Sequence, residues 1–118
     1  MSKVNLYHGD CVEVMREMEE GCVDIVITSP PYNVGLDYDG EYDDNLSQCD
    51  YVEFSYEWIS QMSRLMSDGG MGYIVVIDKI LFDLKPIIEQ NNLVYLDLLV
   101  WCKPNMANGR KFIIGFRS

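Results

Sequence analysis

The stretch Val23-Asp24-Ile25-Val26-Ile27-Thr28-Ser29-Pro30-Pro31-Tyr32-Asn33 runs a β-branched segment into two consecutive prolines. Apart from Asp24, Val23–Thr28 is apolar on both sides, the pattern of a strand buried in a parallel sheet. Pro30 and Pro31 end it. Each proline holds φ near about −65° and removes a backbone N–H, so the segment presents carbonyl oxygens in a rigid extended arc with no internal donors.

Working outward, residues 4–7 read as a short strand and His8-Gly9-Asp10 as the turn after it. Cys11, Val14, Met15 and Met18 recur at helical spacing, which predicts a helix over residues 11–20 with Gly21 as terminator. Residues 33–48 are rich in Gly, Asp, Asn and Tyr without period, so they form a long loop, expected to be a solvated, mobile lid. A helix follows over residues 49–66, with Tyr51, Phe54, Trp58, Met62 and Leu65 on one stripe and Asp50 as a cap candidate. Ser67-Asp68-Gly69-Gly70 stops it, and residues 71–77 read as a strand. Asp83 can cap a helix over residues 84–90, which leaves Pro86 in its first turn, where proline is tolerated. Strands over residues 93–101 and 112–116 flank a turn at residues 104–109. Alternating strands and helices imply an α/β domain with a mostly parallel sheet, and any ligand then sits at the carboxyl ends of the strands, beside Asp10, residues 29–33 and Asp78.

A length of 118 residues suits one domain, and an apolar fraction of 48% excludes a disordered chain. The net charge of −10 argues against a general nucleic-acid surface. That average hides an asymmetry: twelve acids and no base lie between Arg16 and Arg64, whereas Lys103, Arg110, Lys111 and Arg117 occupy an acid-free end. Cys11, Cys22, Cys49 and Cys102 form no Cys-x-x-Cys pair and His8 is the single histidine, so no metal site is expected. With no signal segment and no membrane-length apolar run, the expectation is a cytoplasmic protein with reduced thiols. The acidic stretch from Asp37 fails as a calcium loop, because Tyr42 stands where Gly is required and Gln48 where Glu is.

The proline segment carries the chemistry. With the Ser29 hydroxyl it makes an acceptor array for an amino group with two hydrogens, and the Tyr32 ring offers a face to a planar base. An aromatic exocyclic amine is a weak nucleophile, because its lone pair is conjugated with the ring. Two acceptors on its hydrogens favour the pyramidal form, whose lone pair can attack a methyl group. Taken alone, such a segment is more often a sharp exit to a loop, with Tyr32 as a lid on the core.

Thr28-Ser29-Pro30-Pro31-Tyr32-Asn33 after an apolar strand resembles the catalytic motif of the amino-methylating DNA methyltransferases, the cytosine-N4 and adenine-N6 enzymes. Asn5-Leu6-Tyr7-His8-Gly9-Asp10, Tyr42-Asp43-Asp44-Asn45, the long helix ending in Asp68-Gly69-Gly70, and Trp101-Cys102-Lys103-Pro104-Asn105 match the circularly permuted branch in order. The resemblance implies a Rossmann-like fold dependent on S-adenosylmethionine, with flipped cytosine or adenine in DNA as substrate. Ser29, Pro30, Pro31 and Tyr32 would be catalytic; Asp10, Thr28 and Asn33 would contribute to the cofactor pocket. Asp10 is also placed to cap the helix at Cys11. The Ser-Pro-Pro-Tyr form leans toward cytosine-N4. The family's Phe-x-Gly-x-Gly cofactor segment and a target-recognition region are not found in residues 1–118, which therefore read as the catalytic part of a partial methyltransferase domain. A non-catalytic remnant, dimeric or covered by a complementing chain, is the alternative expectation.

Overall fold

The apolar periodicities resolve into α1 (Cys11–Arg16), β1 (Val23–Thr28), α2 (Gln48–Leu65), β2 (Met66–Val76), α3 (Asp78–Gln90), β3 (Val94–Trp101) and β4 (Lys111–Arg117). The computed structural model describes residues 2–40, 42–102 and 111–118. One sheet orders its strands β1-β2-β4-β3. The expected turn at residues 104–109 lies outside the described residues.

The α/β class is as expected, but the sheet is mixed rather than mostly parallel. β1 and β2 pair parallel, whereas β4 runs antiparallel to both β2 and β3. Chain length accounts for the difference. The connection from Trp101 to Lys111 is shorter than the dozen or so residues that a parallel crossover takes, so β4 returns as a hairpin partner of β3 and inserts beside β2.

One face of the sheet is covered. Tyr51, Trp58, Ile59, Met62 and Leu65 of α2 and Ile80, Leu81, Leu84, Ile87 and Ile88 of α3 are buried in a core with Ile74, Val76, Ile114 and Phe116. The same register puts Ile25 and Ile27 of β1 on the opposite face with Met71 and Tyr73, and there Ile25 is 62% and Ile27 75% exposed. β1 is thus an edge strand with one bare face, where its sequence reads as buried on both sides. Residues 4–7, expected as a strand, have no strand partner among the described residues, and Val4, Leu6 and Tyr7 are exposed.

Local departures have local causes. α1 stops at Arg16 instead of residue 20: the Glu17 and Met18 N–H groups tighten onto Val14 and Met15, and the Arg64 guanidinium donates to the Met15 and Met18 carbonyls. α2 starts at Gln48 because the Ser47 hydroxyl, not Asp50, caps it and accepts the Asp50 N–H. β2 begins at Met66, five residues before the expected start, and takes Ser67 to Gly70 into a bulge between the Val23 and Ile25 pairings, with Gly69 at φ 78°. α3 begins at Asp78 and encloses Pro86. An interior proline costs about 3 kcal/mol, less than the burial of five aliphatic side chains at about 1.5–3 kcal/mol each returns. No helix among the described residues is long and apolar enough to cross a membrane.

Gly72 is required by packing. A Cβ there would overlap the ring of Phe116, its partner across the β2–β4 ladder. Gly72→Ala is expected to lose about 1–3 kcal/mol in urea denaturation, and Gly72→Ala with Phe116→Leu is expected to lose less than the two single losses added together.

Candidate functional site

Parallel pairing of Thr28 with Ile74 brings the ends of β1 and β2 side by side, so Ser29 leaves the sheet next to Val75. The Ser29 hydroxyl donates to the Val75 carbonyl at 3.2 Å. Ser29 has one proton, so the Tyr32 hydroxyl is the donor in the 2.9 Å contact between the two side chains. Tyr32 is thereby oriented by Ser29, and Ser29 keeps acceptor capacity on an exposed oxygen.

Of the two proline carbonyls, that of Pro31 accepts the Tyr51 hydroxyl at 2.5 Å from the core face of α2. The Pro30 carbonyl is the one that Tyr51 leaves untouched. The acceptor array read from the sequence thus contracts to Ser29 and Pro30. Burial pushes the Tyr51 phenol well above its ordinary value; the Ser55 hydroxyl offsets part of this, and Tyr42, Asp44 and Asp83 add to it.

Asp10 caps α1: its Oδ1 accepts the Val12 and Glu13 N–H groups at 3.0 and 3.2 Å, and its second oxygen is not used by the cap. Thr28, Ser29, Pro30, Met15 and Trp58 line an apolar hollow of about 290 Å³ between α1, β1 and α2. Trp58 is buried, and among the described residues its indole N–H has no partner. Partial desolvation at the rim of this hollow, then the negative charge of Asp10, raises the thiol of Cys11. The four cysteines are unpaired and exposed, and no metal-ligating cluster forms among the described residues.

Asn33 is placed differently from the sequence reading. Its carboxamide closes on the Leu46 backbone, accepting from the N–H at 2.7 Å and donating to the carbonyl at 2.9 Å. In this position it anchors the loop. The residue to which the sequence reading gave no role is Asp44, whose buried carboxylate accepts the N–H groups of Asn33, Val34 and Leu36 at 3.0, 3.1 and 2.9 Å. Its own carbonyl accepts the Gly35 N–H, and Lys79 of α3 donates to the Asn33 carbonyl at 2.6 Å. The available signal was an Asp in a Gly- and Asn-rich stretch with Asn33 at φ 57°, a left-handed geometry that turns successive N–H groups toward one anion. Tyr42 pins the loop to α2, with its ring 5.5 Å from that of Phe54. The start and end of the expected mobile lid are thus held in place. Lys103 and Arg110 lie outside the described residues, while Lys111 sits over the Tyr32 ring, its ammonium 4.7 Å from the centroid.

Comparison with known proteins places these features in a family. The model of the DNA methylase family matches residues 23–114. The type II methyltransferase M2.MboI of Moraxella bovis is 29% identical over 113 residues, covering 86% of this chain and 41% of that protein. M.HpaI of Haemophilus parainfluenzae is 38% identical over 82 residues, covering 70% and 26%. The chain therefore spans less than half the length of either relative. Among solved structures, the cytosine-N4-specific PvuII DNA methyltransferase superposes with a TM-score of 0.71 at 18% identity, over 94% of this chain and 48% of that one. M1.HpyAVI, solved as its SAM complex, gives 0.68 at 21%, over 95% and 52%. These likenesses establish the Rossmann-like fold of S-adenosylmethionine-dependent methyltransferases.

Two outcomes follow from the geometry. The Tyr51 phenol holds its proton in the folded chain at pH values where the unfolded chain has lost it, so its contribution to stability is complete below about pH 10 and falls as the pH rises further. Urea titrations between pH 8 and 11 should show that decline, and Tyr51→Phe should flatten it; an unchanged slope contradicts the assignment. Asp44→Ala leaves three N–H groups without their acceptor and is expected to cost about 3 kcal/mol, with faster proteolysis within residues 33–47.

Proposed function

Because the chain belongs to the DNA methylase family, we propose that residues 1–118 form the catalytic part of a DNA amino-methyltransferase acting on N4 of cytosine or N6 of adenine. The observation that carries this reading is the Ser29–Tyr32 unit: an oriented ring beside an acceptor oxygen at the carboxyl end of β1. Stacking on Tyr32 would hold a flipped base, and the Ser29 oxygen with the Pro30 carbonyl would accept the two amine hydrogens. Both acceptors favour the pyramidal amine and stabilise the positive charge that reaches nitrogen as the N–C bond forms, so no strong base is needed to start the reaction. The Ser-Pro-Pro-Tyr form favours cytosine.

S-adenosylmethionine, when bound, supplies the methyl group on a sulfonium. The residues present suit it: Asp10 has a carboxylate oxygen outside its cap, and the hollow behind Thr28 and Ser29 is apolar and lined in part by Trp58. Polypeptide carrying the main cofactor motif and target recognition, from the same gene or a complementing chain, completes the enzyme. Its place of action is the cytoplasm.

Transfer of labelled methyl from S-adenosylmethionine to DNA, by the chain alone or with a complementing polypeptide, is the direct test. Ser29→Ala and Tyr32→Ala are expected to reduce turnover by at least about a hundredfold with unchanged circular dichroism. Unchanged turnover in both variants overturns the assignment.

A further inference from the structure

β4 runs antiparallel to β2, with Phe112 opposite Val76, so it begins where β1 and β2 end. Its first residue is Lys111. The strand that makes the sheet mixed thus carries a cation to the carboxyl end of β1, where the ammonium rests 4.7 Å from the centroid of the Tyr32 ring. Tyr32 is itself packed against the core, and its hydroxyl is tied to Ser29. An ammonium over the ring takes surface that a stacking base needs, because both bind the same π electrons.

We propose that Lys111 is a positioning residue of the base platform: its ammonium covers the Tyr32 ring in the free chain and is displaced when a nucleobase stacks there. This rests on reading Tyr32 as that platform. The electrostatics of the reaction require the displacement. Methyl transfer places positive charge on the amine nitrogen, and a fixed ammonium on the same ring opposes it. The arrangement keeps the half-buried Tyr32 ring covered until substrate arrives and sets a threshold against weakly stacking ligands.

The test is a titration of the isotopically labelled 118-residue chain with deoxycytidine and with deoxyadenosine, followed by nuclear magnetic resonance. In the free chain the Lys111 ε-methylene is expected to be shifted upfield by the Tyr32 ring current, and Tyr32→Leu removes the shift. On nucleoside binding the upfield shift should collapse as the Tyr32 ring signals move. Lys111→Ala should bind nucleoside about two- to fivefold more tightly, while Lys111→Arg, which keeps a cation for the ring, should not. If the upfield shift survives saturation, or Lys111→Ala binds as the parent does, Lys111 is not displaced and the proposal falls while the platform stands. If Tyr32→Leu leaves nucleoside affinity unchanged, or no nucleoside binds any of the proteins, the platform reading itself falls.

Discussion

A carbonyl that cannot be satisfied locally governs the geometry of this chain. Two adjacent prolines leave the arc after β1 without donors of its own, and the half-buried Pro31 carbonyl faces α2. The Tyr51 phenol meets it. That bond ties the motif to the buried stripe of α2, so every side chain that sets the position of α2 also sets the position of Ser29 and Tyr32. Trp58 and Met62 on the same stripe form the wall of the hollow behind the motif. Helix packing and site geometry are therefore one constraint seen from two sides.

The loop beyond Tyr32 uses a second economy of the same kind. A carboxylate carries more hydrogen-bond acceptance than any other side chain of its size, and Asp44 spends it on three N–H groups of residues 33–36, which have no strand or helix to join. Lys79 closes the Asn33 carbonyl from α3. The motif is thus fixed at its centre by α2 and at its end by α3, and the rigidity that two prolines give the backbone extends to Asn33. A dense acidic block, which suggests a solvated surface when counted, contains one charge that works inside.

What the sequence disclosed follows from the range of the interactions involved. β1, the α2 stripe and the motif are written in neighbouring residues, and their positions could be read to within a residue or two. Sheet direction was not: β4 pairs antiparallel because the connection from Trp101 is short, and that is a property of the whole strand order rather than of residues 112–116. The extent of α3 was missed because Pro86 weighs against a helix locally, whereas Ile80, Leu81 and Leu84 outvote it only once the sheet is present to bury them. At the site, the segment from Ser29 to Tyr32 was legible as a motif at the end of β1. The work of Asn33 and Asp44 was not, because each acts on backbone groups eight to thirteen residues away that no local pattern marks.

The bare face of the sheet bears on the net charge of −10. Ile25, Ile27 and Leu99 lie on a surface that α/β sheets cover with helices, and the register places Met71, Tyr73 and Ile113 among them. An apolar face of this kind without strong charge invites self-association, and self-repulsion at high net charge opposes it. Of the acids between Arg16 and Arg64, Asp24 is the one within β1, and its carboxylate accepts the Ser67 hydroxyl. Five of those acids, Asp37, Asp39, Glu41, Asp43 and Asp44, follow directly on the Ser29–Tyr32 segment in sequence, and at that end the Lys111 ammonium rests over the Tyr32 ring. Local sign at that end, rather than the total, decides what can approach it.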